Sequence, residues 1–141
     1  MTDSEPKPLK WEPDPNVGYS VVRRPDGGMH VTFTDASPAT LDHWRNFALQ
    51  HLYDSDRLTR NLYDIRQLSD VPEEAVNLGV EANSDPAARN IRLAVVVANE
   101  AMRQAAQHVA DLTAGGGVQM KIFTQLDEAE DWLNQPLTNL L

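Results

Sequence analysis

The sequence predicts an α/β protein: a mixed five-stranded sheet with helices packed on it, in the order β-β-α-β-α-β-α-β-α. Three observations carry that prediction. Two strand-like runs flank a turn early in the chain. Three later apolar runs of strand length alternate with helical apolar stripes. One of these runs, Leu93-Ala94-Val95-Val96-Val97, is apolar on both faces. Such a strand is covered on both sides, as in the middle of a parallel sheet. Strands separated by helices imply parallel pairing, right-handed crossovers and helices on both faces. The opening hairpin makes the sheet mixed.

The elements follow in order. Tyr19 to Arg24 is a short β-like run, and Pro25-Asp26-Gly27-Gly28 supplies turn chemistry. Met29, Val31 and Phe33 alternate with His30, Thr32 and Thr34, the period of a half-buried strand. Ser37-Pro38 starts a helix with a capping hydroxyl followed by proline. Its apolar face is Leu41, Trp44, Ala48 and Leu52. Arg60 to Ile65 is the third strand. Pro72-Glu73-Glu74 places acid in the first turn of a second helix, where the helix dipole favours it. Ser69 is available to cap that helix.

Asn99 caps the third helix, whose stripe is Met102, Ala105, Ala106, Val109 and Leu112. Gly115-Gly116-Gly117 ends it. Val118, Met120 and Ile122 alternate in a fifth strand. Gln125 to Asn134 forms the last helix and buries Leu126, Ala129, Trp132 and Leu133. The organisation is an N-terminal arm over 1–16, rich in proline, one domain over 17–135 and a tail over 136–141. Trp11, in the arm, is expected to dock on the domain, because large aromatics are mostly buried.

Composition excludes several classes of function. The 141 residues contain no cysteine, so disulfides and thiolate chemistry are absent. Lys plus Arg number 12 against 21 Asp plus Glu, a net charge of −9. That field repels phosphate backbones, so neither nucleic acid nor an anionic membrane is the expected partner. No apolar run approaches the roughly 20 residues of a membrane span. No apolar signal core follows the polar start, and the expected location is the cytoplasm.

Motifs for chemistry are missing. His43 and His51 are eight residues apart on one helix, too far to share a metal at the usual spacing of three or four. With His30 and His108 they are expected at the surface or rim. The three glycines at 115–117 follow a helix and precede a strand, the reverse of a phosphate loop. Glu73-Glu74 and Asp127-Glu128 each open a helix, where the dipole explains them. The expected inventory is therefore no catalytic residue, no metal and no cofactor. One place remains, since open α/β sheets bind ligands at the carboxyl ends of their parallel strands. The candidate rim there is Asp64, Arg66, Ser69 and Asn99.

From Leu62 to Leu133 the chain resembles the SpoIIAA-like family. That family is related to the STAS domains of anti-sigma-factor antagonists and, in fold, to CRAL-TRIO domains. The residues that carry the resemblance are Tyr63-Asp64-Ile65-Arg66, Ile91 to Val97, Val118 to Phe123 and the closing Asp127-Glu128-Ala129-Glu130-Asp131-Trp132-Leu133. In STAS antagonists the phosphorylated serine lies in an Asp-Ser-Ser/Ala/Thr-Gly segment. The corresponding residues here are Gln67-Leu68-Ser69-Asp70-Val71-Pro72, without the glycine. SpoIIAA-like relatives tend to have Arg-Gly where this chain has Arg66-Gln67, and Gly-Asp where it has Ala98-Asn99. The resemblance implies a non-catalytic regulatory or interaction domain with a protein partner or a second copy of itself. A carrier of a lipid or other apolar small molecule stands second, and an enzyme of unrecognised type third.

Overall fold

Alternation builds the hairpin. In the computed structural model β1 (Tyr19–Arg23) pairs antiparallel with β2 (Met29–Phe33), Tyr19 opposite Phe33 and Arg23 opposite Met29. Tyr19, Val21, Met29, Val31 and Phe33 are all buried, so both strands turn their alternate residues to one face. The Arg24 amide donates to Gly28 O at 2.8 Å and closes the turn. The structure describes residues 16–25, 28–54, 59–85, 88 and 91–135. The expected arm with Trp11, the side chains of His51 and Leu52, and the tail from 136 lie outside these residues.

The rest of the chain alternates as expected. The helices are α1 (Pro38–Asp54), α2 (Glu73–Ser84), α3 (Glu100–Leu112) and α4 (Leu126–Leu133). The strands between them are β3 (Thr59–Asp64), β4 (Ile91–Val96) and β5 (Val118–Phe123). Strand order is β1-β2-β3-β4-β5, and β2 through β5 run parallel. Every neighbour in the sheet is therefore also a neighbour in sequence. The register sets Val31 beside Tyr63, Tyr63 beside Val95, and Val95 beside Ile122.

That row belongs to the face covered by three helices. Trp44 and Phe47 of α1 pack there on Phe33 and Tyr19, with Leu78 and Ala82 of α2 beside them. Met102 and Ala106 of α3 pack on Val95 and Val97. The opposite face has one described helix. Ala129 and Leu133 of α4, both fully buried, sit on Leu62, Ala94 and Val96. At about 25 cal/mol per Å² of apolar area, each such buried leucine contributes roughly 1.5–3 kcal/mol.

Four expectations are corrected. Ser69 does not cap α2: the helix starts at Glu73, the cap residue is Pro72, and no side chain bonds there. A proline disfavours helical geometry in the residue before it, so helix cannot extend back through Val71 toward Ser69. Leu112 is 59% exposed, because the buried stripe of α3 runs through Met102, Ala106 and Val109 to Thr113 and leaves Leu112 to one side. Trp132 and Leu126 are only half-buried. In a helix of 8 residues, the pair Ala129 and Leu133 four apart takes the sheet-facing stripe, leaving Trp132 to one side. Its ring packs on Phe123, centroids 5.7 Å apart.

Candidate functional site

The carboxyl ends of the parallel strands lie at one level. Ile65 N donates to Val96 O at 3.0 Å and Val97 N to Phe123 O at 2.9 Å, so the chain leaves β3, β4 and β5 at a common rim. Because β1 runs the other way, its start at Gly18 belongs to this rim too. Gly18 O accepts from Thr34 N at 2.7 Å, just past β2.

Asp64 ends β3, level with Thr32 of β2 and Val96 of β4. A turn follows, with Leu68 N donating to Ile65 O at 3.1 Å and Arg66 at its first central position. This geometry folds Arg66 back over Asp64. Asp64 Oδ1 accepts from the Arg66 amide at 3.1 Å and from its Nε at 3.0 Å, and Oδ2 accepts from a terminal guanidinium nitrogen at 2.8 Å. The aspartate side chain is 9% exposed and the arginine 41%. Burial pushes the Asp64 carboxyl up, but the bonds from Arg66, with a smaller contribution from His30, more than offset it. The carboxyl is held below its ordinary value. The same bonds raise the Arg66 guanidinium above its own.

Only one edge of the arginine fork is used in this tie. The other terminal nitrogen carries no hydrogen bond among the described residues, on a side chain that is 41% exposed. Arg66 thus presents oriented donors whose charge is locally balanced by Asp64.

Asn99 stands at the same rim and caps α3 as expected, its side-chain oxygen accepting from Met102 N at 2.9 Å. Ser69 is exposed in the loop beyond the Arg66 turn, and its hydroxyl takes no hydrogen bond among the described residues. The structure therefore joins Asp64 to Arg66, sets Asn99 beside their strand with its oxygen already committed, and bonds Ser69 to none of them.

A second part of the rim escapes the sequence reading. Thr40 is fully buried in the first turn of α1. Its hydroxyl accepts from Gly18 N at 2.8 Å and donates to Asp35 Oδ1 at 2.6 Å. Asp35 Oδ1 also accepts from Ser37 N at 3.0 Å, an Asx turn, and Ser37 Oγ accepts from Thr40 N at 3.3 Å as the expected cap. The Thr40 bond, followed by the one from Ser37, lowers the Asp35 carboxyl below its usual value. Only glycine fits at 18, since a Cβ there would lie 2.1 Å from Asp35 Oδ2. The signal in the sequence is Asp35-x-Ser37-x-x-Thr40, local side-chain-to-backbone chemistry of which only the Ser37-Pro38 step is visible in a search for helix starts.

The histidines are scattered. His108 is exposed, and His30 and His43 are half-buried. His43 Nδ1 lies 2.6 Å from the Tyr19 hydroxyl, at the margin of the aromatic core. Among the described residues no three His, Asp or Glu side chains approach closely enough to hold a metal ion.

The model of the SpoIIAA-like family matches residues 31–134. The chain belongs to the SpoIIAA-like family. Two solved structures share the fold of this SpoIIAA-like chain. One is an anti-sigma factor antagonist from Mycobacterium paratuberculosis, 13% identical, with TM-score 0.61 over 83% of this chain and 95% of its own. The other is an uncharacterized protein of the DUF3478 family with a SpoIIAA-like fold from Shewanella loihica PV-4. It is 15% identical, with TM-score 0.61 over 87% of this chain and 99% of that one. No curated protein matches the sequence. Among the described residues no helix is long and apolar enough to cross a membrane.

Proposed function

We propose that this SpoIIAA-like domain is a non-catalytic regulatory module that binds a protein partner at the rim around Arg66. The observation that carries the reading is the one-edged tie between Arg66 and Asp64. A half-exposed arginine held in one orientation loses little rotamer freedom when a partner carboxylate or carbonyl meets its free donors. The balancing aspartate keeps the bound state from burying a bare charge. The likeness in fold to an anti-sigma factor antagonist adds support by analogy.

The kinase-switched form of that role is not part of the reading. Ser69 sits in no capping position and lacks the glycine of the antagonist segment. The partner is instead met by groups that are always present.

The test uses a photo-crosslinker at position 69, beside the rim, in cells expressing the full chain. A discrete adduct that weakens with Arg66→Lys, which keeps the charge and loses the planar fork, is the expected result. Native mass spectrometry of the freshly purified protein runs alongside it. A co-purifying apolar mass, with no adduct at position 69, would overturn the reading in favour of a carrier.

A further inference from the structure

The amino ends of β3 and β4 hold a second, independent feature. Arg60 and Arg92 are direct register partners across the two strands. They lie on the face that α4 covers, two residues before Leu62 and Ala94 of its core. Arg92 is 8% exposed. One terminal nitrogen donates to Trp132 O at 3.0 Å and to Gln135 O at 3.1 Å, carbonyls at the C-terminal end of α4. Its guanidinium carbon stands 5.1 Å from the centre of the Trp132 ring. Helix-end carbonyls and a ring face favour a cation, but neither carries a full negative charge.

The pair is left uncompensated. The Nε–H groups of Arg60 and Arg92 are both buried and without an acceptor. Among the described residues no carboxylate forms an ion pair with either arginine. Burial first, and then the Arg60 charge, pull the Arg92 guanidinium below its ordinary value. Lys121 adds positive charge, its Nζ 5.9 Å from the Trp132 ring centre. Like charges side by side in a partly desolvated place repel strongly. This happens in a chain of net charge −9, where carboxylates are the commonest ionisable group. A structural tie for the end of α4 explains one nitrogen of Arg92. It does not explain Arg60, whose side chain makes no hydrogen bond among the described residues and which is half-exposed.

We infer that Arg60 and Arg92 form a site for an oxyanion, a phosphate or a carboxylate group, that bridges the two guanidinium groups from the Arg60 side. Two adjacent planar forks suit such an oxyanion because each offers parallel donors to two oxygens. The site is separate from the rim, at the opposite end of the same strands, and does not depend on the proposed partner surface.

The experiment follows the Arg Nε–H resonances of the full chain by ¹⁵N NMR at constant ionic strength. Inorganic phosphate is titrated in one arm and acetate in the other, with chloride as the balance. Saturable shifts at Arg60 and Arg92 are expected, and the anion that saturates at lower concentration gives the chemistry of the natural ligand. Arg60→Gln should weaken that saturation by about tenfold or more, since it removes charge-assisted bonds. Without added anion the same variant should melt no lower than the wild type, because it relieves like-charge repulsion and deletes no bond. Three results would overturn the site: no saturable shift with either anion, equal shifts at the exposed Arg103, or an Arg60→Gln variant that titrates like wild type.

Discussion

The two ends of β3 and β4 treat arginine in opposite ways. At the carboxyl end, Arg66 is tied to Asp64 through a fork and an amide, and the pair is half open to water. At the amino end, Arg60 and Arg92 stand side by side, and Arg92 alone meets helix carbonyls and a tryptophan ring. The first end is electrostatically complete and so can be rigid on its own. The second is held together by what lies over it, which is α4. A half-buried like-charge pair persists when packing elsewhere over-determines the geometry or when an anion completes it.

The largest expected effect tests that dependence. Leu133 is fully buried on Leu62, Ala94 and Val96 and lies between Trp132 and Gln135, whose carbonyls Arg92 holds. Leu133→Ala should destabilise by about 2–5 kcal/mol. It should also loosen the lid over the arginines, seen as faster exchange of the Arg92 Nε–H. A loss below about 1 kcal/mol in a urea melt would mean that α4 contributes little to this face, and the comparison of the two ends would fail.

Arg66→Ala comes next. It leaves the 9%-exposed Asp64 carboxylate with only the backbone amide of residue 66 as donor. Unpairing a hydrogen-bonded charge costs about 1–3 kcal/mol, and solvent around the half-exposed guanidinium places this case near the lower end. The expected outcome is a loss of about 1–2 kcal/mol in thermal or urea melts. An unchanged melt would mean that the tie does not order the carboxyl end.

Protonation breaks the same tie from the other side. Asp64 titrates below its unfolded value of about 3.9. A carboxyl depressed by folding stabilises the fold fully above the unfolded pKa, and that contribution disappears as pH falls through the lower folded value. Stability should therefore decline below about pH 4. Asp64→Asn should be weaker than wild type at neutral pH and show a shallower decline in acid, measured as urea midpoints along a pH series. Identical acid limbs would show that Asp64 does not feel Arg66 in solution.

The paired end was legible in the sequence and the unpaired end was not, for reasons that lie in the kind of signal each gives. Asp64 and Arg66 are two apart at the end of an alternating run, so a turn brings them together with no help from distant chain. Asn99 likewise caps within three residues. The Arg60–Arg92 contact depends on the register of two strands 32 residues apart in the chain, and one residue of slip would place the side chains on opposite faces. The fold itself was legible because period, proline and glycine mark every element. Leu112 and Trp132 depart from expectation because their neighbours Thr113 and Leu133 take the buried stripe of each helix, and apolar periodicity alone does not choose between adjacent residues. The knot of Gly18, Asp35 and Thr40 was missed because the Gly18–Thr40 bond spans 22 residues.

The smallest expected effect concerns Ser69, where the helix-cap expectation failed. Its exposed hydroxyl bonds to nothing among the described residues, and Pro72 rather than Ser69 precedes α2. Ser69→Asp therefore removes no interaction, and a surface change of this kind moves stability by no more than about 0.5 kcal/mol. It does add a carboxylate three residues after Arg66, whose outward donors are the groups proposed to meet a partner. Competition for those donors would weaken partner capture at the rim while leaving the melt unchanged. The amino end supplies the control, since Arg60 and Arg92 sit at the far end of the same strands and their anion titration should not move. A Ser69→Asp variant that shifts the melting curve by more than about 1 kcal/mol would show that the loop is packed and that Ser69 belongs to the tie. A variant with altered Arg60 resonances would show that the two ends are coupled through β3, which the local closure of the Asp64–Arg66 tie argues against.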